Sequence, residues 1–215
     1  MNLTFLEVRD LNEAWWKCIR EVLLHGRDYI IDKGSFEGQK RKELDLLICQ
    51  IKYPNTRPLV PVVPDGVPPP ADMHYVETDY LQYLMTDNKQ PDEMYTYGED
   101  IEKQFIEICE RYKNYGYNTN QLTMSIGNSN SIFLEHSQCL RLIDTRVLDG
   151  KLNYVVYFRS WDLWGGFPVN LAGIQLMKEM MAADIGKEDG EIIAISKGLH
   201  LYDHQWEVGK IVARL

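Results

Sequence analysis

CLRLIDTRVLDGKLNYVVYFRSWDLWGGFPVN, residues Cys139 to Asn170, holds two β-rich runs, Leu140 to Leu148 and Leu152 to Arg159, on either side of Asp149-Gly150. Asp-Gly between alternating apolar residues is a strong hairpin signal, because the tight primed turns need positive φ at their centre. With those two residues as the loop, Leu148 faces Lys151 and paired positions sum to 299. Cys139 then faces Ser160 and lies diagonally from Arg159, so turn chemistry alone brings a thiol, a guanidinium and a hydroxyl together. Further on, Pro168 followed by Asn170 to Asp184 reads as a helix with Leu171, Ile174, Met177 and Met181 inward, closed by Gly186.

Beyond this segment, Glu191 to Ser196 reads as a strand, and Asp203 as the cap of a final helix through Trp206 to Val212. Upstream, Leu122 to Ile126 alternates like a strand. Ile101, Phe105, Ile108, Cys109 and Tyr112 share one helical stripe that ends before Gly116. Tyr80 to Leu84 fits one or two helical turns. Residues 54 to 70 hold seven of the nine prolines and read as an irregular surface connection. Leu44 to Ile51 is a short apolar strand, Asp32 to Gly38 a turn, and Leu11 to His25 a helix capped by Asp10 or Asn12 and closed by Gly26. Helices and strands do not alternate regularly, so the class is α+β rather than a doubly wound sheet. At 215 residues the chain makes one domain, residues 1–215.

Lys and Arg number 23 against 32 Asp and Glu, a net charge of −9. Such a surface repels phosphate backbones, which argues against DNA as a partner, while a small anion needs only a few aimed cations. The sequence has no run of about 18 apolar residues, and Met1-Asn2-Leu3-Thr4 lacks a secretory pattern, so a cytoplasmic location without membrane association is expected. The four cysteines show no paired metal spacing, and in a reducing compartment they stay thiols. Cys18, Cys49 and Cys109 sit among apolar neighbours and read as small core residues. Cys139 stands beside a cation, which favours the thiolate and so makes a nucleophile near neutral pH.

The run from Arg159-Ser160 through Asp162, Gly166 and Pro168 to Asn170 resembles the R-S-x-D-x-x-x-G-x-P-x-N segment of thymidylate synthases and their pyrimidine hydroxymethylase relatives. The family's nucleophilic cysteine precedes that arginine by about twenty residues, as Cys139 does, with an Asp-Gly-Lys-Leu hairpin between them. A histidine-x-tyrosine follows the asparagine by about thirty, matching His200-Leu201-Tyr202. The likeness covers residues 138 to 205 most closely, reaches back to Tyr95, and points to the compact archaeal-type branch.

The resemblance implies a thymidylate synthase-like fold, a mixed β-sheet layer with helices packed on it. It also implies a homodimer with partly shared sites and a metal-free reaction. The thiolate of Cys139 would add to C6 of dUMP, making C5 a carbon nucleophile toward the methylene group of 5,10-methylenetetrahydrofolate or a related tetrahydropterin. Arg159 and Ser160 match the phosphate-binding pair, with Arg159 also holding Cys139 as thiolate. Asn170 matches the base-reading amide, able to donate to O4 and accept from N3–H of uracil, and is equally suited to a helix N-cap. His200 and Tyr202 match the pair on the sugar 3′-hydroxyl, although alone they read as a core histidine and a half-buried tyrosine. Asp162 and Gly166 match the pterin-binding positions, although Asp162 alone is a turn residue. Tyr97 in Thr96-Tyr97-Gly98 matches the tyrosine that works with water in removing the C5 proton, and Glu77 and Asp79 are candidates for the accompanying acid.

The usual consecutive arginines ahead of the cysteine are replaced by Thr119-Asn120-Gln121. Each charge-assisted hydrogen bond that such an arginine would donate is worth about 1.5–3 kcal/mol. Arg27, in Gly26-Arg27-Asp28, matches the family's loop arginine that binds substrate, and Arg141 or Lys42 would compensate for the absent pair. Two alternatives follow: a hydroxymethylase, in which water ends the reaction, and a nucleotide-binding relative without turnover.

Overall fold

The expected hairpin forms from β6 (Leu140–Leu148) and β7 (Lys151–Phe158), with Asp149 at φ +50° and Gly150 at +78°. The register that sums to 299 runs from Leu148–Lys151 to Leu142–Tyr157, and then Leu140 pairs with Phe158. Arg141 is thus one extra residue on β6, a β-bulge that shifts everything beyond it by one. Cys139 therefore lies opposite Arg159 rather than Ser160, and its carbonyl accepts the Arg159 backbone N–H at 2.8 Å. Turn chemistry alone cannot foresee a bulge seven residues away.

This computed structural model describes residues 1–33, 36–91 and 93–215. Two positions of the expected Asp32–Gly38 turn, Gly34 and Ser35, lie outside the described residues. The hairpin sits in a six-stranded mixed sheet ordered β1-β4-β9-β7-β6-β5, built from β1 (Leu3–Val8), β4 (Leu46–Ile51), β9 (Glu188–Ser196), β7, β6 and β5 (Thr123–Ser125). A four-stranded sheet follows the order β2-β3-β10-β8, from β2 (Arg27–Ile30), β3 (Lys40–Leu44), β10 (Leu199–Tyr202) and β8 (Trp161–Asp162). The expected strand Leu44–Ile51 is two elements: Leu44 closes β3 in one sheet, Asp45 bends, and Leu46 opens β4 in the other.

Helices cover one face of the larger sheet. The first is α1 (Leu11–His25), where Asp10 accepts the Glu13 N–H at 3.0 Å as N-cap. Asn12 instead ties down the proline-rich connection, donating to the Pro58 carbonyl and accepting from Val62 N–H. The short α2 (Met73–Tyr75), a π-helical turn (Val76–Tyr80) and α3 (Leu81–Met85) run on from one another. Next come α4 (Gly98–Tyr115), α5 (Gly166–Asp184) and the terminal α6 (Trp206–Ala213). Leu171, Ile174, Met177 and Met181 of α5 are fully buried, as their spacing predicts, against inward residues such as Tyr154, Val156, Ile192 and Ala194. Each such side chain contributes about 1.5–3 kcal/mol of burial. Lys178 of the same helix is buried too, 3.1 Å from Asp189 and donating to the Gly190 carbonyl, and burial lowers its pKa to about 8.

Among the described residues no helix packs on the opposite face of the sheet. Phe5, Ile48, Ile195, Tyr157 and Leu142 follow one another across five strands by register, and all five are half-buried or exposed.

Candidate active site

Of the four cysteines, Cys18, Cys49 and Cys109 are buried, and only Cys139 is half-open. It stands just ahead of the bulge, where β6 leaves the sheet. Burial raises its thiol pKa, and the Arg159 charge works in the opposite direction without reversing the shift. In the free protein the thiol is thus not the ready thiolate that an adjacent guanidinium leads one to expect. Arg159 itself donates from Nε to the Gln138 carbonyl at 3.0 Å and from Nη2 to the Ser137 carbonyl at 2.5 Å. The guanidinium thus clamps the loop that carries the cysteine, while its charge still reaches the sulfur.

Tyr97 closes another side. Its hydroxyl accepts the backbone N–H of Leu140, the residue after the thiol, at 3.3 Å, and burial pushes the phenol well above its ordinary pKa. Tyr80, Tyr83, Tyr95 and Tyr97 form a contiguous ring cluster with centroids 5.1–6.2 Å apart. Tyr80, Tyr95 and Tyr97 all lie within the electrostatic field of Cys139. Glu77 and Asp79 are both exposed on the π-helical turn, whose inward residues are Val76 and Tyr80. Sequence reasoning missed Tyr80. The available signal was composition: five of the thirteen tyrosines fall between residues 75 and 97.

Asn170 sits on the second turn of α5, and its Oδ1 accepts the Trp161 indole N–H at 2.8 Å. Asp162 is the turn residue its position predicts, its carboxylate accepting backbone N–H groups of Trp164, Gly165 and Gly166 at 2.9–3.2 Å. Three donors leave a carboxylate spare acceptor capacity. A Cβ on Gly166 would lie 3.6 Å from Asp162 Oδ2 and 3.8 Å from Asn170 Oδ1. The missing side chain keeps open the space between carboxylate and amide, so this corner fits a flat ring with N–H donors.

His200 pairs by register with Asp162 across β10 and β8. Its Nδ1 lies 2.9 Å from the Gly198 carbonyl, while the buried Nε2 has no hydrogen-bond partner. Burial lowers the ring pKa to about 4, so the imidazole is neutral. An orphaned ring nitrogen of that kind suits a hydroxyl ligand. The Tyr202 ring stands edge-on to it at 5.0 Å. Arg41, pairing with Tyr202 by register, places a cation beside both, a residue the sequence reading did not name.

Arg41 is itself paired with Glu43 at 2.8 Å and donates to the Tyr29 hydroxyl, and other cations are engaged as well. Arg27 is bound at two points by Asp45, at 2.6 and 2.9 Å, and Lys42 pairs with Asp28. Arg141, the bulged residue, reaches Gln138 at 3.5 Å. Among the described residues no group of three His, Cys, Asp or Glu could hold a metal, and no helix is long and apolar enough to cross a membrane. A concavity of about 950 Å³ lies away from this chemistry, on the uncovered sheet face around Asn153, Val155 and Glu191.

A family model described as thymidylate synthase matches residues 101–214. A Methanosarcina barkeri protein named "Putative thymidylate synthase" is 25% identical over 210 residues, covering 94% of this chain and 91% of that protein. A Methanosarcina mazei protein of the same name is 26% identical over 212 residues, with the same coverage of both chains. The thymidylate synthase of Listeria monocytogenes serotype 4a is 33% identical over 111 residues, 51% of this chain and 35% of its own length. With a matching family model over more than half its length, this chain belongs to the thymidylate synthase family.

Proposed function

We propose that the protein methylates dUMP at C5 to give dTMP through a covalent bond between Cys139 and C6. The observation that carries this reading is the Arg159 charge and the Tyr97 hydroxyl lying beside the one half-open thiol, with the Asn170 amide reached through Tyr80. When bound, 5,10-methylenetetrahydrofolate or a related tetrahydropterin supplies the one-carbon unit and the hydride that reduces it. Asp162, with the open space over Gly166, would hold its ring.

The chain's own residues do the rest. Cys139 gives its proton to water and its sulfur bonds to C6, so the electron pair of the C5–C6 double bond moves onto C5 and O4; when that double bond re-forms, the sulfur leaves C6 with its bonding pair as thiolate. Arg159 favours the thiolate and, with Ser160, binds the nucleotide phosphate. Arg41 contributes positive charge near the sugar, where His200 Nε2 and Tyr202 take the 3′-hydroxyl. Asn170 reads the base, and Tyr97 with water moves the C5 proton. Arg27 would join the phosphate only by giving up Asp45.

The same reading makes the protein a homodimer. The apolar row Phe5, Ile48, Ile195, Tyr157 and Leu142, of which Phe5 is exposed and the rest are half-buried, supports it, since a contiguous apolar row left open on a sheet face marks an interaction surface.

The test is to mix the protein with dUMP and methylenetetrahydrofolate and follow the absorbance of dihydrofolate. A rise is expected that Cys139→Ser lowers about a thousandfold or more. A hydroxymethylated nucleotide without dihydrofolate would contradict the reading in favour of the hydroxymethylases. Tight nucleotide binding with neither product, whichever carrier is supplied, would contradict it in favour of a binding relative.

A further inference from the structure

Asn170 is held from two sides by residues to which the recognised motif assigns no role, Trp161 standing at one of its variable positions. Trp161 is 2% exposed, and its ring is locked by stacking on Phe158 (centroids 3.9 Å apart, 9° between planes) and by Phe167 at 4.5 Å. An indole N–H only donates, so the group it meets at 2.8 Å has to be the amide oxygen of Asn170. A flipped amide would set NH2 against a buried N–H and leave both unsatisfied. The Asn170 Nδ2 donor is thereby turned away from Trp161.

The second side is Tyr80. The π-helical turn pushes its ring against Gly173, one turn beyond Asn170 on α5, where an added Cβ would lie 2.6 Å from the ring carbons. A glycine within a helix costs about 1 kcal/mol relative to alanine, and here it admits the ring. The Tyr80 hydroxyl is buried beside the Asn170 amide and in the field of Cys139, yet it completes no hydrogen bond of normal geometry. An unpartnered buried hydroxyl beside a locked amide points to a ligand atom.

We propose that Trp161 and Tyr80 set the base preference of this site: Trp161 as a positioning residue that fixes the flip of Asn170, Tyr80 as a second donor to the base. The inference rests on the pyrimidine reading given above. The Asn170 Nδ2–H and the Tyr80 O–H then converge on one acceptor. A 4-keto oxygen has two lone pairs for them, whereas a 4-amino group meets both donors with hydrogens. The second lone pair of Asn170 Oδ1 remains for N3–H of a keto base.

The test compares dissociation constants for dUMP and dCMP, by calorimetry, in wild type, Trp161→Phe and Tyr80→Phe. Wild type is expected to prefer dUMP. Trp161→Phe should cut that preference about tenfold or more, chiefly by gaining dCMP affinity as the amide flips. A loss of packing alone would weaken both nucleotides equally. Tyr80→Phe should weaken dUMP about fivefold or more and leave dCMP unchanged. If Trp161→Phe does not fold, the Tyr80→Phe ratio decides. A wild type selective for dUMP whose variants keep that ratio within twofold overturns this inference and leaves the enzyme reading standing. A preference for dCMP overturns it likewise. A wild type that binds neither nucleotide overturns the pyrimidine reading itself.

Discussion

At Cys139 burial and charge oppose each other: the half-closed site raises the thiol pKa, and Arg159 pulls it back without winning. Alkylation of the free protein by iodoacetamide should therefore climb through alkaline pH, with a midpoint above that of an ordinary thiol. Arg159→Met should move the midpoint higher still and raise the KM for nucleotide about tenfold or more, since the variant has no guanidinium to pair with the phosphate. A midpoint at or below that of an ordinary thiol, about 8.5, in either protein would contradict this balance. The thiol, the guanidinium and the motif through Asn170 were legible because hairpin chemistry and residue spacing are local. Tyr80 and Arg41 were not. One is turned inward by a π-helical turn that no apolar period announces, and the other lies on Lys40-Arg41-Lys42-Glu43, a strand made by pairing with β10 rather than by hydrophobic alternation.

Among the elements, α5 joins the core to the site, with Met177 and Met181 on the sheet and Asn170 at its open end. Gly173→Ala should force Tyr80 off its seat, lowering stability by about 1–3 kcal/mol in urea unfolding and weakening nucleotide binding with it. Tyr80→Ala in the same chain should restore much of the stability but not the binding. Unchanged stability in Gly173→Ala would show that the ring has another place to go. The helices α1, α4 and α5 were readable from their apolar stripes. By contrast, β1 exposes Leu3 and Phe5 and half-buries Thr4, inverting the usual alternation, and the β6 bulge lies beyond the reach of turn rules.

Over the whole molecule, pH acts through His200. Its folded pKa of about 4 lies below the ordinary 6.5, so between those values the unfolded chain binds more protons and stability rises with pH. The contribution is present above pH 6.5 and is lost as pH falls toward 4. The urea midpoint should drop across that window in wild type and much less in His200→Gln; equal slopes would contradict the assignment. The uncovered face across β1, β4, β9, β7 and β6 predicts a sedimentation mass near 50 kDa, about twice the 25.1 kDa chain, reduced to the monomer by Ile195→Asp. A monomeric wild type would remove the partner from the account. The central claim, a bond between the Cys139 sulfur and a pyrimidine ring carbon, is tested most directly by incubating the protein with 5-fluoro-dUMP and methylenetetrahydrofolate and mapping the modified peptide by mass. The account predicts a stable adduct on the peptide carrying Cys139, absent in Cys139→Ser; bound nucleotide with no adduct, or an adduct on another residue, would contradict it.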